Sequence, residues 1–130
     1  MVALDDTWYY HALTMKRDEF ARNLSAGTYD LIVLDILRDG PNYGYGIRQR
    51  IFARSKGTLN WQDGTIYPVL RHLEKQGLVT SKWHNPKQGR QRRYYRLTPR
   101  GRRVSQQLRH QWTASTQAIT ALLHRPSDSR

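Results

Sequence analysis

Residues 64–98 read GTIYPVLRHLEKQGLVTSKWHNPKQGRQRRYYRLT, and within them the spacing of apolar side chains changes once. Ile66, Val69, Leu70 and Leu73 recur at i, i+3, i+4, i+7, the stripe of a helix packed on one side. Thr65, Tyr67, Arg71, His72 and Lys75 fall off that stripe. Pro68 is cheapest in a first turn, where amide donors have no partner anyway, so the helix is expected to start at Gly64 or Thr65. Gln76-Gly77 closes it. From Leu78 to His84 the period becomes two, the mark of a strand. Asn85 to Gln91 is a polar, Gly-containing hairpin loop, and Arg92 to Leu97 is the returning strand. Tyr94 and Tyr95 then point to opposite faces, one toward the core, and Arg92 and Arg93 divide the same way.

Upstream, two more helices are expected. One starts at Thr28, a capping residue, and runs through Leu31, Leu34, Ile36 and Leu37 with Asp30 near its positive end. Asp39-Gly40-Pro41-Asn42 ends it. The next spans Tyr43 to Arg54, turning Ile47, Ile51 and Phe52 inward and Arg48, Arg50 and Arg54 outward. In residues 1–27, Leu13, Arg17, Phe20 and Leu24 fall roughly on one helical face and suggest a further helix from about Leu13 to Ser25. The cluster Trp8-Tyr9-Tyr10-His11 before it is expected to pack on the domain or on a partner. Downstream, Thr98 caps a long helix with Pro99 at its first position. That helix runs to about His124, on the order of 40 Å. Its Val104, Leu108, Trp112, Ser115, Ile119 and Leu122 step by three or four residues, a seam suited to a second copy. A monomer would leave much of this stripe in water. Trp112 is read as an ordinary seam tryptophan in preference to a stack for a flat effector. The organisation expected is thus an N-terminal extension (1–27), a mainly α domain with a small β-hairpin (28–97), a dimerisation helix (98–124) and a tail (125–130).

Charge sharpens this outline. The chain of 130 residues carries 22 Lys+Arg against 10 Asp+Glu, a formal charge of +12. The excess is not spread evenly. From Met1 to Glu74 basic and acidic residues cancel, whereas Lys75 to Ser127 holds twelve basic residues and no acidic one. A one-sign block that also contains Leu78, Val79, Trp83, Tyr94, Tyr95 and Leu97 at strand-like spacing is expected to be a folded anion-binding surface, not a solvated tail. Three helices followed by a basic hairpin is the order of a winged helix-turn-helix. In that fold the third helix reads base edges in the major groove and the hairpin lies along the backbone or an adjacent minor groove. The residues placed on the DNA are Thr65, Tyr67, Arg71 and His72 from the helix, and Lys87, Arg90, Arg92 and Arg93 from the wing. Tyr43 or Tyr45, at the tight helix start Gly44-Tyr45-Gly46, is a candidate phosphate contact. The glycines there do not make a nucleotide loop, since no preceding strand, third glycine or later acidic partner accompanies them.

Four motifs, in order, carry a family resemblance. Gly44-Tyr45-Gly46-Ile47, Gly64 to Leu70, Leu73-Glu74-Lys75-Gln76-Gly77-Leu78-Val79 and Arg92 to Gly101 together resemble the PadR family of bacterial transcriptional regulators, over about Thr28 to Gly101. The single helix after Thr98 resembles the short-tailed branch, and the segment before Thr28 is longer than in many members. The resemblance implies a dimeric winged-helix repressor on a palindromic operator, acting in the cytoplasm. Its partners are double-stranded DNA and a second copy, with any small-molecule effector unspecified. Two rivals share parts of the pattern: a sequence-neutral basic DNA- or RNA-binding protein, and a winged-helix adaptor that binds protein alone.

Other chemistries find no footing. Zero cysteines excludes disulfides, thiolate zinc sites and cysteine nucleophiles. The five histidines show neither metal-ligand spacing nor a paired carboxylate, and no nucleophile elbow occurs. Neither a catalytic residue, a metal nor a cofactor is expected. The longest apolar run, Leu31 to Leu37, is broken by Asp35 and falls far short of the ~20 residues a bilayer span needs. No membrane partner is expected.

Overall fold

The computed structural model describes the chain from Arg17 to His124, with side chains from Gly27 onward. In order the elements are α1 (Arg17–Leu37), β1 (Asn42–Tyr43), α2 (Gly44–Arg54), α3 (Asp63–Lys75), β2 (Val79–His84), β3 (Arg92–Leu97) and α4 (Pro99–Leu123). The expected organisation at the N-terminus changes here. Where a helix ending near Ser25 and a second one capped by Thr28 were anticipated, α1 runs unbroken for 21 residues. Gly27 in a helix interior costs only about 1 kcal/mol relative to Ala. Burial of Val33, Leu34, Ile36 and Leu37 at the far end of the same helix outweighs that. The Trp8–His11 cluster, the side chains of Phe20 and Leu24, and residues 125–130 lie outside the described residues.

The core is the space enclosed by α1, α2, α3 and the inner face of the sheet. Val33, Leu34 and Leu37 of α1 meet Ile47 and Ile51 of α2, Ile66, Leu70 and Leu73 of α3, and Val79, Tyr95 and Leu97 of the sheet. Phe52 does not join them; it is 47% exposed. The buried arc of α2 is narrow because it consists of Gly44, Gly46, Ile47 and Ile51, and Phe52 lies a further 100° round the helix.

The sheet has three antiparallel strands in the order β1-β3-β2, so the expected hairpin gains an edge strand. Asn42 and Tyr43 pair with Tyr95 and Tyr94. Two residues are too few to show a period of two, and the turn signals around Pro41 mask them. On the inner face Tyr95 is buried. On the outer face Tyr94 is half-buried, its ring 5.3 Å from Tyr43 and 5.9 Å from His84.

Two joints fix α3 and α4 to this frame. At the end of α3, Gly77 takes φ +75°. Its N–H donates to the Glu74 carbonyl, and the Leu78 N–H donates to the Leu73 carbonyl, at 3.0 and 2.9 Å. This is the paired closure that leaves the chain ready to enter β2. At the start of α4 the expected cap is present: Thr98 Oγ1 accepts from the Gly101 N–H at 2.9 Å, with Pro99 at the first position. The same hydroxyl donates to the Gly77 carbonyl at 2.8 Å, so one threonine joins both ends. Helix α4 then extends for 25 residues, about 37 Å.

Candidate nucleic-acid interface

Helix α3 begins at Asp63, slightly earlier than its sequence suggested, which puts Pro68 in the second turn. The proline therefore removes a ladder bond to the Gly64 carbonyl, and Gly64 is exposed, where water can satisfy that oxygen. The start of α3 is tied down by Arg48, whose Nε donates to the Trp61 carbonyl at 2.8 Å and whose Nη1 lies 2.7 Å from Asp63 Oδ1. Arg50 and Arg54 both pair with Asp39. The arginines of α2 are thus structural cations.

Off the core stripe, α3 presents two separate faces. Tyr67 and Arg71, one turn apart, face the wing. Thr65 and His72, two turns apart, share another side. There His72 Nε2 lies 3.5 Å from Asp30 Oδ2 of α1. Tyr67 lies across the start of α2, where a methyl group on Gly44 would sit 2.7 Å from its ring. The absence of a side chain at Gly44 is what lets Tyr67 take that position.

Between α3 and the wing runs a groove of about 490 Å³ lined by Tyr43, Gly44, Tyr45, Tyr67, Arg71, Trp83, Arg90, Gln91, Arg92, Arg93 and Tyr95. Seven of the ten side chains singled out from sequence for DNA meet here. Thr65 and His72 do not line it, and Lys87 stands exposed in the hairpin loop. Further residues not singled out belong to this surface, among them Trp83 and Gln91 on the groove, and Glu74 and Lys75 beside Arg71 in an adjoining hollow. Lys75 was legible as an exposed cation of α3; Trp83 was masked by its strand-like spacing.

Electrostatics separates these arginines. The guanidinium of Arg92 lies 4.5 Å from the centre of the Tyr43 ring, and that of Arg48 lies 5.7 Å from Tyr45. Arg93 is on the other face of β3, between Trp83 and Tyr95 at 5.8 and 5.9 Å. Every carboxylate among the side chains described, from Gly27 onward, is engaged: Asp30 with His72, Asp35 with Arg38 and Arg109, Asp39 with Arg50 and Arg54, Asp63 with Arg48, and Glu74 with Arg93. Arg71, Lys75, Lys87, Arg90 and Arg92 face no carboxylate among the described residues. Their charge is available to a polyanion.

Among the described residues, two groups titrate away from their ordinary values. Burial pushes the Tyr95 phenol up, with Arg93 opposing the rise. Burial also raises Asp30, with His72 opposing the rise. A carboxyl raised in the folded state lends stability below its unfolded value and loses it as pH climbs through the folded one. Asp30→Asn is therefore expected to melt at a higher temperature than wild type at neutral pH. The gain should shrink as the pH is lowered through the carboxylate range; a gain independent of pH would show that ionisation is not its cause.

Along α4, Val104 and Leu108 pack against the chain's own core. Trp112, Ile119 and Leu122 are 52%, 55% and 72% exposed, and Ser115 is exposed with them. Among the described residues no helix is long and apolar enough to cross a membrane, and no group of three or more His, Cys, Asp or Glu could hold a metal ion.

Three helices, a three-stranded wing and an arginine-lined groove between the third helix and that wing define a winged helix-turn-helix fold. Residues 33–107 match the model of the transcriptional regulator PadR-like family, and the chain belongs to that family. A PadR family transcriptional regulator of Eggerthella lenta is 30% identical with a TM-score of 0.69, the match covering 91% of this chain and 97% of that one. A transcriptional regulator of Clostridium thermocellum is 27% identical with a TM-score of 0.72, covering 78% of this chain and 99% of the other. An uncharacterised protein of Lysinibacillus sphaericus is 29% identical over 93 residues, 72% of this chain and 85% of that protein.

Proposed function

We propose that the chain is a homodimeric repressor that binds a palindromic operator in the bacterial cytoplasm and occludes a promoter. The observation that carries this reading is the groove between α3 and the wing, where Tyr67 and Arg71 meet Arg90 and Arg92 with no carboxylate opposing these three cations among the described residues. In the bound state α3 enters the major groove, Tyr67 and Arg71 reach base edges, and the wing follows the backbone. Tyr43 and Tyr45, at the start of α2, contact phosphate. The exposed distal stripe of α4 receives the second copy: Trp112, Ile119 and Leu122, with Ser115 among them, would leave a large apolar strip in water on a monomer. A two-fold axis through that seam sets the two α3 helices about one helical turn of DNA apart.

Lys87→Ala combined with Arg90→Ala is expected to weaken binding to every duplex. It should also make the dependence of log K on log salt shallower by about 1 for each phosphate that is no longer neutralised. Titration at several salt concentrations measures this, and an unchanged slope removes the wing from the interface.

A further inference from the structure

Glu74 sits oddly on this surface. Among the described residues it is the one acidic side chain lining either hollow between α3 and the wing. A carboxylate there repels every phosphate that approaches, at a cost in affinity for all sequences alike. Its contacts show a use that offsets this. Ser81 Oγ donates to Glu74 Oε2 at 2.6 Å and accepts from Arg93 Nε at 2.8 Å. Arg93 Nη2 closes the ring to Glu74 Oε1 at 3.4 Å. One bond network therefore spans α3, β2 and β3, the three elements whose relative placement decides what the protein can touch at once. Two of the three guanidinium nitrogens of Arg93 are committed to it, and Trp83 and Tyr95 flank the same group at 5.8 and 5.9 Å.

We propose that Glu74, Ser81 and Arg93 form a clamp that fixes the wing against α3, making Glu74 and Ser81 specificity-determining positioning residues. The inference rests on the DNA-reading role proposed above. Arg93, placed on the DNA by sequence, becomes first a structural member of this clamp. With the clamp closed, wing cations and base-reading side chains such as Arg71 engage together only on a duplex whose groove geometry matches their fixed separation. With it open, the wing follows the backbone whatever the bases are, and binding keeps its strength while losing selectivity.

Charge alone and the clamp predict different results for the same substitutions. Removing the negative charge in Glu74→Gln should, on charge alone, tighten binding to every duplex by one common factor. The clamp requires random-sequence DNA to gain while the preferred duplex does not, so the ratio of the two affinities falls about tenfold or more. Glu74→Asp keeps the charge but withdraws the carboxylate by one methylene, and Ser81→Ala changes no charge at all. Both are expected to lower the same ratio, whereas Ser81→Thr, which retains the hydroxyl, should preserve it.

The test measures dissociation constants of the full chain and each variant for two duplexes of equal length. One is the sequence selected by the wild type from a random pool, the other a randomised control; thermal melting confirms that each variant is folded. A ratio that falls in Glu74→Asp and Ser81→Ala and is kept in Ser81→Thr is the expected result. Variants that shift both affinities by the same factor, or not at all, would overturn the clamp while leaving DNA reading intact. A wild type that prefers neither duplex overturns the DNA-reading role itself, and the clamp with it.

Discussion

Gly101→Ala is expected to destabilise the fold by about 3 kcal/mol, the upper end of what overpacking usually costs. Helix propensity taken alone gives the opposite sign, since Ala is favoured over Gly in a helix interior by about 1 kcal/mol. Geometry decides between them. A Cβ on Gly101 would lie 2.0 Å from the Leu78 carbonyl oxygen, which is backbone and cannot rotate aside. That oxygen already accepts from the Thr98 N–H at 3.1 Å, and the Leu78 N–H is bonded to the end of α3 at 2.9 Å. Relieving the clash must move α4 away from the α3–β2 turn or break these bonds. Because α4 carries the proposed dimer seam, its tilt would also reset the spacing of the two recognition helices. Chemical denaturation measures the stability. A variant as stable as wild type, or more so, would mean that α4 does not dock on Leu78 as described.

Arg71→Ala carries the second large effect, a loss of about 1–3 kcal/mol in binding the preferred duplex, concentrated at one base pair. Arg71 shares a face of α3 with Tyr67, lines both hollows beside the wing and faces no carboxylate among the described residues. It is long enough to reach a guanine edge in a bidentate manner, which a phosphate contact would not require. Measuring affinity across a set of single-base-pair variants separates the two roles. If the penalty of Arg71→Ala is the same on every sequence, the residue holds phosphate and the base discrimination belongs to Tyr67 and its neighbours.

The parts of the fold that were legible are those with a local cause. The switch of period between Leu73 and Val79 marks α3 and the first wing strand because each repeat is complete within a few residues. The Thr98 cap with Pro99 after it is a four-residue signal, and the structure bears it out. The charge asymmetry located the basic surface, and seven side chains chosen from sequence converge on one groove.

What could not be read depends on partners distant in the chain. His72 pairs with Asp30, 42 residues away, so its helical position alone gave no warning that it turns toward α1. Arg93 reaches Glu74 across 19 residues, and Ser81 reaches it across seven. These are tertiary facts with no sequence period. The continuity of α1 through Gly27 and Thr28 was hidden for a related reason: local capping chemistry argued for a break, and burial at the far end of the helix overrode it. Strand β1 exists only because β3 is there to pair with it.

The central claim is that one surface of a dimer reads sequence. Selection from a random pool of DNA duplexes at near-physiological salt, with the mass of the complex measured in solution, tests it most directly. The predicted result is a palindromic consensus with half-sites about one helical turn apart, bound by two copies of the chain. Salt-sensitive binding with no consensus, or no binding to DNA at all, would contradict it.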